Sequence, residues 1–170
     1  MKYSLLIVDE NKNLREDVGK YIENVCNRVN VSGSFSQAVE VIDYLENNNA
    51  NIIIIDTELS GMSGLELAKY LSVTKPDINV IIFSNDKKFE YAIEAMKYNV
   101  TDYIVKSNSY DGLLSAVEIS VKKLDSEHEG SSRLNHYSEI IGDMRSKIFL
   151  DLTVGALGND SNIEAEFNRL

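Results

Sequence analysis

Short apolar runs alternate with amphipathic stretches over residues 2–124 of this chain. Apolar runs of three or four residues bounded by polar positions predict buried strands of a parallel sheet. Such runs are Leu5–Val8, Ile52–Ile55, Val80–Phe83 and Tyr103–Val105, and Val29 with Val31 predicts a shorter strand that ends near Gly33. Between the runs, apolar residues recur every three or four positions, which predicts helices with one buried face. This order predicts an α/β fold, a doubly wound five-stranded parallel sheet with helices on both faces.

Polar signals mark where some of the predicted helices begin and end. Ser36 is the expected N-cap of the second helix, and Asn47–Asn49 marks its end. The fourth and fifth helices are predicted over Phe89–Tyr98 and Tyr110–Leu124. Asn99 is expected to adopt the left-handed backbone conformation that ends a helix. The repeated strand and helix units therefore finish at residue 124.

The pattern changes after residue 124. Residues 125–133, Asp-Ser-Glu-His-Glu-Gly-Ser-Ser-Arg, hold no apolar side chain and predict a linker or a frayed helix end. A helical period of apolar residues returns from Leu134 to Leu152. The chain is thus predicted to hold one domain over residues 1–124, a linker over 125–133 and a C-terminal helical extension over 134–170.

Polar side chains stand at the points where the predicted strands end. Asp9 and Glu10 follow the first strand, Asp56 the third, Ser84 the fourth and Lys106 the fifth. Ligands of open α/β sheets bind at the carboxyl ends of the strands. Three clustered carboxylates repel one another unless a cation intervenes, and Mg²⁺ prefers oxygen ligands. This edge of the sheet therefore has the chemistry to hold a cation and a phosphoryl group.

The composition of the chain indicates which partners and which cellular compartment to expect. The net charge is -10, from 17 basic and 27 acidic residues, which argues against a nucleic-acid surface on this chain. Cys26 is the only cysteine, so no internal disulfide can form, and a reducing, cytoplasmic location is expected. No apolar run approaches the roughly 20 residues of a membrane helix, and the start of the chain lacks the features of a signal peptide. No membrane partner is expected.

Residues 2–124 resemble a response-regulator receiver domain, the CheY-like form of the flavodoxin fold. The matching features are Val8-Asp9-Glu10, Asp56 with the following Gly61-Met62-x-Gly64, the strand-ending Ser84, and Asp102-Tyr103-Ile104-Val105-Lys106. Phe89-Glu90-Tyr91-Ala92 resembles receivers of regulators that carry an AraC-type helix-turn-helix, and residues 137–170 resemble the connecting segment of such regulators. The resemblance implies that this chain is part of a transcription regulator whose DNA-binding output domain is not in the sequence.

The resemblance also implies a phosphoryl acceptor and a metal site. Asp56 would accept a phosphoryl group from a sensor histidine kinase. Glu10 and Asp56 would bind Mg²⁺ directly, Asp9 would act largely through water, and the Glu58 carbonyl would supply another oxygen. Carboxylate nucleophiles form acyl phosphates, and such transfers rely on positioning and charge neutralisation.

Three further residues would contact or respond to the phosphoryl group. The resemblance implies that Lys106 contacts the phosphoryl oxygens, that Ser84 hydrogen-bonds the group and moves toward it, and that Tyr103 turns inward. The apolar stripe Leu134–Leu152 is expected either to pack back on the receiver or to form a homodimer, and the face of the fourth and fifth helices is the other candidate dimer surface. DNA would be bound only through the missing output domain.

Several residues depart from the family pattern. Glu10 replaces the usual aspartate, and Ser60 replaces a proline, so a looser loop is expected after Asp56. Ser107 replaces a proline that follows a cis bond; because a cis bond before other residues costs roughly 2.5–4 kcal/mol, a trans bond is predicted. Asn85 is larger than the usual residue and is expected to narrow access to Asp56.

Other classes of function remain open at this point. The chain could be a stand-alone relay or interaction module, or a degenerate receiver that takes no phosphate. An aspartate-nucleophile phosphatase would need an acid two residues after its nucleophile. Asn11 occupies that position after Asp9, and an amide cannot serve as the acid.

Overall fold

The computed structural model describes residues 2–87, 89–106 and 109–128. In these ranges five strands alternate with five helices. The strands are β1 (Tyr3–Val8), β2 (Val29–Phe35), β3 (Ile52–Ile55), β4 (Asn79–Ser84) and β5 (Asp102–Val105). The helices are α1 (Lys12–Val25), α2 (Ala38–Asn47), α3 (Gly64–Thr74), α4 (Phe89–Lys97) and α5 (residues 111–128). The predicted α/β architecture is confirmed.

The strand order explains where a site can form. All neighbouring strands pair in parallel, in the order β2-β1-β3-β4-β5. The chain moves one way from β1 to β2 and the other way from β3 to β5, so the order reverses between β1 and β3. A crevice opens at the carboxyl ends of the strands beside such a switch point. Asp9 and Asp56 follow these two strands and therefore flank that crevice.

Two apolar cores cover the two faces of the sheet. Leu5 and Ile7 of β1 pack with α1 and α5, whereas Leu6 and Val8 pack with α2, α3 and α4. Successive side chains of a strand point to opposite faces, so one strand contributes to both cores. This double covering explains why Ile52–Ile55 is apolar at every position and fully buried.

Two element boundaries differ from the sequence-based prediction. β2 continues past Gly33 to Phe35, because its pairing with β1 extends to the end of both strands. The N-cap of α2 is Gln37 rather than Ser36. Its position follows from Glu40, whose carboxylate accepts hydrogen bonds from the backbone N–H groups of both Ser36 and Gln37.

Helix α5 continues to residue 128, so residues 125–128 of the predicted linker are helical. Asp125 contacts Tyr3 of β1 and Arg28, the residue before β2. Its Oδ1 accepts hydrogen bonds from the Tyr3 hydroxyl at 2.7 Å and the Arg28 guanidinium at 2.6 Å. One compact unit ends at Asp125 and another begins at Ser126. The predicted extension beyond residue 128 lies outside the described residues. Within those residues, every helix is too short or too polar to cross a lipid bilayer.

Candidate functional site

A cleft of about 530 Å³ opens at the carboxyl edge of the sheet, beside the ends of β1, β3 and β5. Its lining residues are Asp9, Glu10, Asn11, Leu14, Asp56, Glu58, Asn85 and Lys106. The predicted acidic residues and the predicted lysine therefore meet in one place. Asn85 lies on the wall of this cleft, where it was expected to narrow access.

Lys106 lies between two buried carboxylates in the cleft. Its Nζ atom is 2.7 Å from Asp9 Oδ2 and 2.6 Å from Asp56 Oδ2. Its backbone N–H also donates to the Ser84 carbonyl at 2.8 Å, which continues the pairing of β4 with β5 and places the side chain. Two carboxylates face one ammonium, so the ionised cluster has an excess of one negative charge. We call Asp9, Asp56 and Lys106 the charge cluster.

Burial dominates the electrostatics of the charge cluster. Burial raises the pKa of the Asp56 carboxyl above its ordinary value; Lys106 opposes this and the charge of Asp9 adds to it. Burial lowers the pKa of the Lys106 ammonium, but its hydrogen bonds with Asp56 and Asp9 outweigh burial and raise that pKa. Lys106 therefore stays charged, while the ionised form of Asp56 is held at a cost in free energy.

Replacing Asp56 with asparagine is expected to stabilise the fold at pH 7 by about 1 kcal/mol. Because folding raises the pKa of Asp56, the folded chain binds this proton more tightly than the unfolded chain does. Wild type therefore loses stability as pH rises through the folded-state pKa, and the variant does not. The advantage of Asp56→Asn should shrink as pH falls towards about 4, the ordinary range for a carboxyl group.

Urea unfolding of both proteins in EDTA, at several pH values, measures this difference. EDTA removes divalent cations, so any binding of a cation to Asp56 does not affect the comparison. An Asp56→Asn variant that is less stable than wild type at pH 7 would contradict the expectation.

Glu10 and Ser60, two of the departures from the family pattern, contact each other. The Ser60 backbone N–H donates to Glu10 Oε1 at 2.6 Å. Hydrogen bonding from Ser60 lowers the pKa of the Glu10 carboxyl. A proline at position 60 would have no N–H to donate. The two departures therefore form one hydrogen bond that joins the loop after β1 to the loop after β3.

The donor set of the cleft fits a divalent cation. Asp56 Oδ1 is buried and has no hydrogen-bond partner among the described residues. A buried carboxylate oxygen without a partner is costly, and it is the kind of ligand that Mg²⁺ prefers. No three His, Cys, Asp or Glu side chains lie close enough together to hold a metal within the described ranges. Two carboxylates with the Glu58 carbonyl and water are sufficient ligands for Mg²⁺.

Ser84 and Tyr103 are linked through the backbone of Asp86. The Ser84 side chain is fully buried, and its Oγ accepts a hydrogen bond from the Asp86 N–H at 3.1 Å. The Tyr103 hydroxyl donates to the Asp86 carbonyl at 2.9 Å. Ser84 Oγ also hydrogen-bonds the hydroxyl of Thr57. Ser84 is not among the residues that line the cleft.

Sequence reasoning missed Thr57 and Asp86, because neither is the first polar residue after its apolar run and neither belongs to the motifs that carry the resemblance. It also missed how Arg15 of α1 supports the site. The Arg15 guanidinium donates to the Asp9 backbone carbonyl and, at 3.0 Å, to Ser34 Oγ. Arg15 therefore holds the end of β1 against β2. Its position within the first turns of α1 was the only available signal.

Gly64 brings the start of α3 against the backbone of Asp56. A Cβ atom at Gly64 would lie 1.9 Å from the Asp56 carbonyl oxygen, well inside van der Waals contact. The N-cap Ser63 accepts a hydrogen bond from the Glu66 N–H and donates to the Glu66 carboxylate. This cap and this glycine set the position of the loop that follows Asp56. Ser107 lies outside the described residues, so the trans bond after Lys106 stays a prediction.

A phosphoacceptor domain of two-component signalling is the class that this fold and cleft define. The model of the response regulator receiver domain family matches residues 5–118. The chain therefore belongs to the response regulator receiver domain family. Receiver domains of this family interact with histidine kinases and generally use Mg²⁺ for phosphorylation.

Curated relatives are transcriptional and response regulators. The chain is 27% identical over 144 residues to the uncharacterized transcriptional regulatory protein YesN of Bacillus subtilis, covering 85% of this chain and 39% of YesN. It is 26% identical over 153 residues to the heme response regulator HssR of Staphylococcus epidermidis, covering 89% of this chain and 63% of HssR. The chain thus spans less than two thirds of either relative.

Solved structures share the fold. A DNA-binding response regulator of the LuxR family from Staphylococcus aureus superposes with a TM-score of 0.65 at 24% identity, covering 69% of this chain and 98% of that one. The isolated receiver of RcsB from Salmonella enterica, solved with the phosphomimetic BeF3-, superposes with a TM-score of 0.64 at 20% identity, covering 72% and 90%. These likenesses confirm the predicted CheY-like architecture.

Proposed function

We propose that Asp56 is the phosphoryl acceptor of this receiver and that a sensor histidine kinase is the donor. The proposal rests on the different surroundings of the two Asp56 carboxylate oxygens. One oxygen is bound to Lys106 at 2.6 Å, and the other is buried without a partner among the described residues. A carboxylate oxygen that is desolvated and unpaired beside a charged ammonium is prepared to attack phosphorus.

The transfer itself needs few protein groups. A carboxylate oxygen of Asp56 forms a bond to phosphorus, and the bond from phosphorus to the kinase's histidine nitrogen breaks, leaving the electron pair on that imidazole. Lys106 neutralises charge on the phosphoryl oxygens, which is the main contribution a protein makes to such a transfer. Asp9 keeps hold of the Lys106 ammonium at 2.7 Å while Asp56 reacts. Asn85, on the wall of the cleft, limits the approach of water and donors.

Mg²⁺ would be held by Glu10, Asp56 and the Glu58 carbonyl, with Asp9 acting largely through water. When bound it supplies positive charge for the phosphoryl oxygens. The excess negative charge of the charge cluster supports this assignment, because a cation would compensate it. Glu10 also lines this cleft.

We propose that the phosphorylated receiver controls transcription through a DNA-binding domain outside this sequence, in the cytoplasm. The relative YesN is named a transcriptional regulatory protein, and the chain covers only 39% of it. A second copy of the chain is the proposed partner, through Leu134–Leu152, which lies outside the described residues, or through the α4 and α5 face. Exposed Ile93 and Met96 on α4 and Ile119 on α5 support that face.

Intact mass after incubation with Mg²⁺ and a small acyl phosphate tests the acceptor. One added phosphoryl group is expected on wild type and none on Asp56→Asn, because an amide cannot form the acyl phosphate. Asp43→Asn is the matched control, since Asp43 is exposed on α2 away from the cleft. EDTA is expected to abolish the addition.

Two results would count against this assignment. Equal phosphorylation of Asp56→Asn and wild type would move the acceptor to another residue. No addition to wild type, from the acyl phosphate or from a phosphorylated histidine kinase, would favour a degenerate receiver that acts as an interaction module.

A further inference from the structure

Thr57, the residue after Asp56, contacts the hydroxyl of Ser84. The two side-chain oxygens are hydrogen-bonded, and both residues are buried, with Thr57 7% and Ser84 0% exposed. Ser84 Oγ also accepts a hydrogen bond from the Asp86 N–H at 3.1 Å. Thr57 and Asp86, the partners in these two contacts, both lie outside the charge cluster.

The position of Thr57 is set by the backbone around it. Its carbonyl accepts a hydrogen bond from the Gly64 N–H at 3.1 Å, at the start of α3. Thr57 is β-branched, so its side chain has little rotational freedom. Whereas Asp56 lines the cleft, Thr57 lines a separate pocket of about 410 Å³ together with Asp86 and Tyr91. The Thr57 hydroxyl is thus a fixed partner of Ser84, and Thr57 is not among the residues that line the cleft.

A serine hydroxyl has only one proton to donate. A phosphoryl oxygen on Asp56 would need that proton from Ser84. A bond that Ser84 donates to Thr57 would have to be released for this. A bond that Ser84 accepts from Thr57 would instead hold the Ser84 oxygen beside Thr57 rather than beside the phosphoryl group. The contact of Thr57 with Ser84 therefore competes with the contact of Ser84 with a phosphoryl group.

We propose that Thr57 is a positioning residue that holds Ser84 in the unswitched arrangement and thereby opposes the response to phosphorylation. This inference rests on the proposed function of Asp56. A contact present in only one of two states shifts the equilibrium by its own free energy. A Ser84 that moves away from Thr57 must also change its bond with the Asp86 N–H, and the Asp86 carbonyl is the partner of the Tyr103 hydroxyl. Thr57 thus connects the loop after β3 to both predicted switch residues.

Titration of the full chain with beryllofluoride at fixed Mg²⁺, followed by the amide resonances of Asp86 and Lys106, tests this role. Thr57→Val keeps the shape of the side chain and lacks the hydroxyl. Its midpoint for beryllofluoride is expected to be roughly 3- to 10-fold lower than that of wild type, the range that one hydrogen bond corresponds to. Thr57→Ser keeps the hydroxyl and is expected to titrate like wild type.

A second comparison separates positioning from a general effect on the fold. In a Ser84→Ala background, Thr57→Val is expected to leave the midpoint unchanged, because its partner is already absent. If Thr57→Val does not fold, Thr57→Ala, which also lacks the hydroxyl, is expected to show the same decrease relative to wild type.

The outcomes distinguish this inference from the proposed function. Beryllofluoride binding by wild type with an equal or higher midpoint in Thr57→Val overturns the role of Thr57 and leaves the acceptor site standing. The same decrease in the Ser84→Ala background also overturns it. Failure of wild type to bind beryllofluoride with Mg²⁺ overturns the proposed function, and the role of Thr57 with it.

Discussion

Replacing Lys106 with methionine is expected to destabilise the fold by about 3–5 kcal/mol at pH 7. The Lys106 ammonium is the shared partner of Asp9 Oδ2 and Asp56 Oδ2, at 2.7 and 2.6 Å. Methionine preserves much of the apolar stem but leaves two buried carboxylates facing each other without a cation. Removing one member of a buried ion pair costs more than the pair contributes, because the remaining charge stays desolvated.

The pH dependence of this loss identifies its cause. Without Lys106, the main group that opposes the effect of burial on Asp56 is lost, so the folded-state pKa of Asp56 should rise further and the folded chain should bind this proton more tightly than the unfolded chain. The deficit of Lys106→Met should therefore be largest at neutral pH and shrink as pH falls towards about 4. Urea unfolding in EDTA across this range measures it.

Two companion variants make the test specific. Lys122→Met, at an exposed position on α5, is expected to change stability by less than about 0.5 kcal/mol. Adding Asp9→Asn to Lys106→Met is expected to restore part of the loss, since it removes one of the two unpaired charges. A deficit that is independent of pH and unaffected by Asp9→Asn would show that lost packing, rather than charge, is responsible.

Replacing Gly64 with alanine is expected to cost about 3 kcal/mol or more and to lower the rate of phosphorylation. The added Cβ would lie 1.9 Å from the Asp56 carbonyl oxygen and 2.8 Å from the Asp56 carbonyl carbon. Both atoms belong to the backbone, so no side chain can rotate to make room. Either α3 must move away or Asp56 must shift, and a shift changes its distance to Lys106.

Two other glycines provide graded controls. At Gly112 on α5, a Cβ would make an ordinary 3.5 Å contact with Ile104, so alanine is expected to be neutral or stabilising by up to about 1 kcal/mol. Gly61 has φ +82 but open space around it, so alanine there is expected to cost about 1 kcal/mol through backbone strain alone. Of the three alanine variants, Gly64→Ala should have the lowest free energy of unfolding in urea and the lowest rate of labelling by acyl phosphate. Equal stability of Gly64→Ala and Gly112→Ala would contradict the close approach of Gly64 to the Asp56 backbone.

These effects share one property of the site. The charge cluster keeps excess negative charge, and Asp56 Oδ1 is buried without a partner among the described residues. Both features reduce stability, and both are what a cation and a phosphoryl group would compensate. Local features that lower stability without a structural benefit are expected at functional sites. Asp56→Asn removes this excess negative charge and is therefore expected to stabilise the fold. Lys106→Met removes the only positive charge of the charge cluster and is therefore expected to destabilise it.

Much of the fold and part of the site could be predicted from the sequence alone. Uninterrupted apolar runs such as Ile52–Ile55 indicate strands covered on both faces, and their alternation with helices indicates a parallel sheet. Parallel strands end at one edge, so Asp9, Asp56 and Lys106 could be expected at the same edge of the sheet. Asn99, with φ 56, also adopts the left-handed conformation expected at the end of a helix. Each of these inferences depends on local pattern or on topology.

Only the tertiary structure decided which groups touch across loops. The bond between Glu10 and Ser60, the pairing of Thr57 with Ser84 and the approach of Gly64 to Asp56 join residues from different loops or strand ends. Such contacts depend on distances of a few tenths of an ångström and on side-chain rotamers, which periodicity does not encode. The pattern of apolar residues specifies where the strands end, whereas the packing of α3 and the loops after β1, β3 and β4 specifies how the side chains at those ends meet.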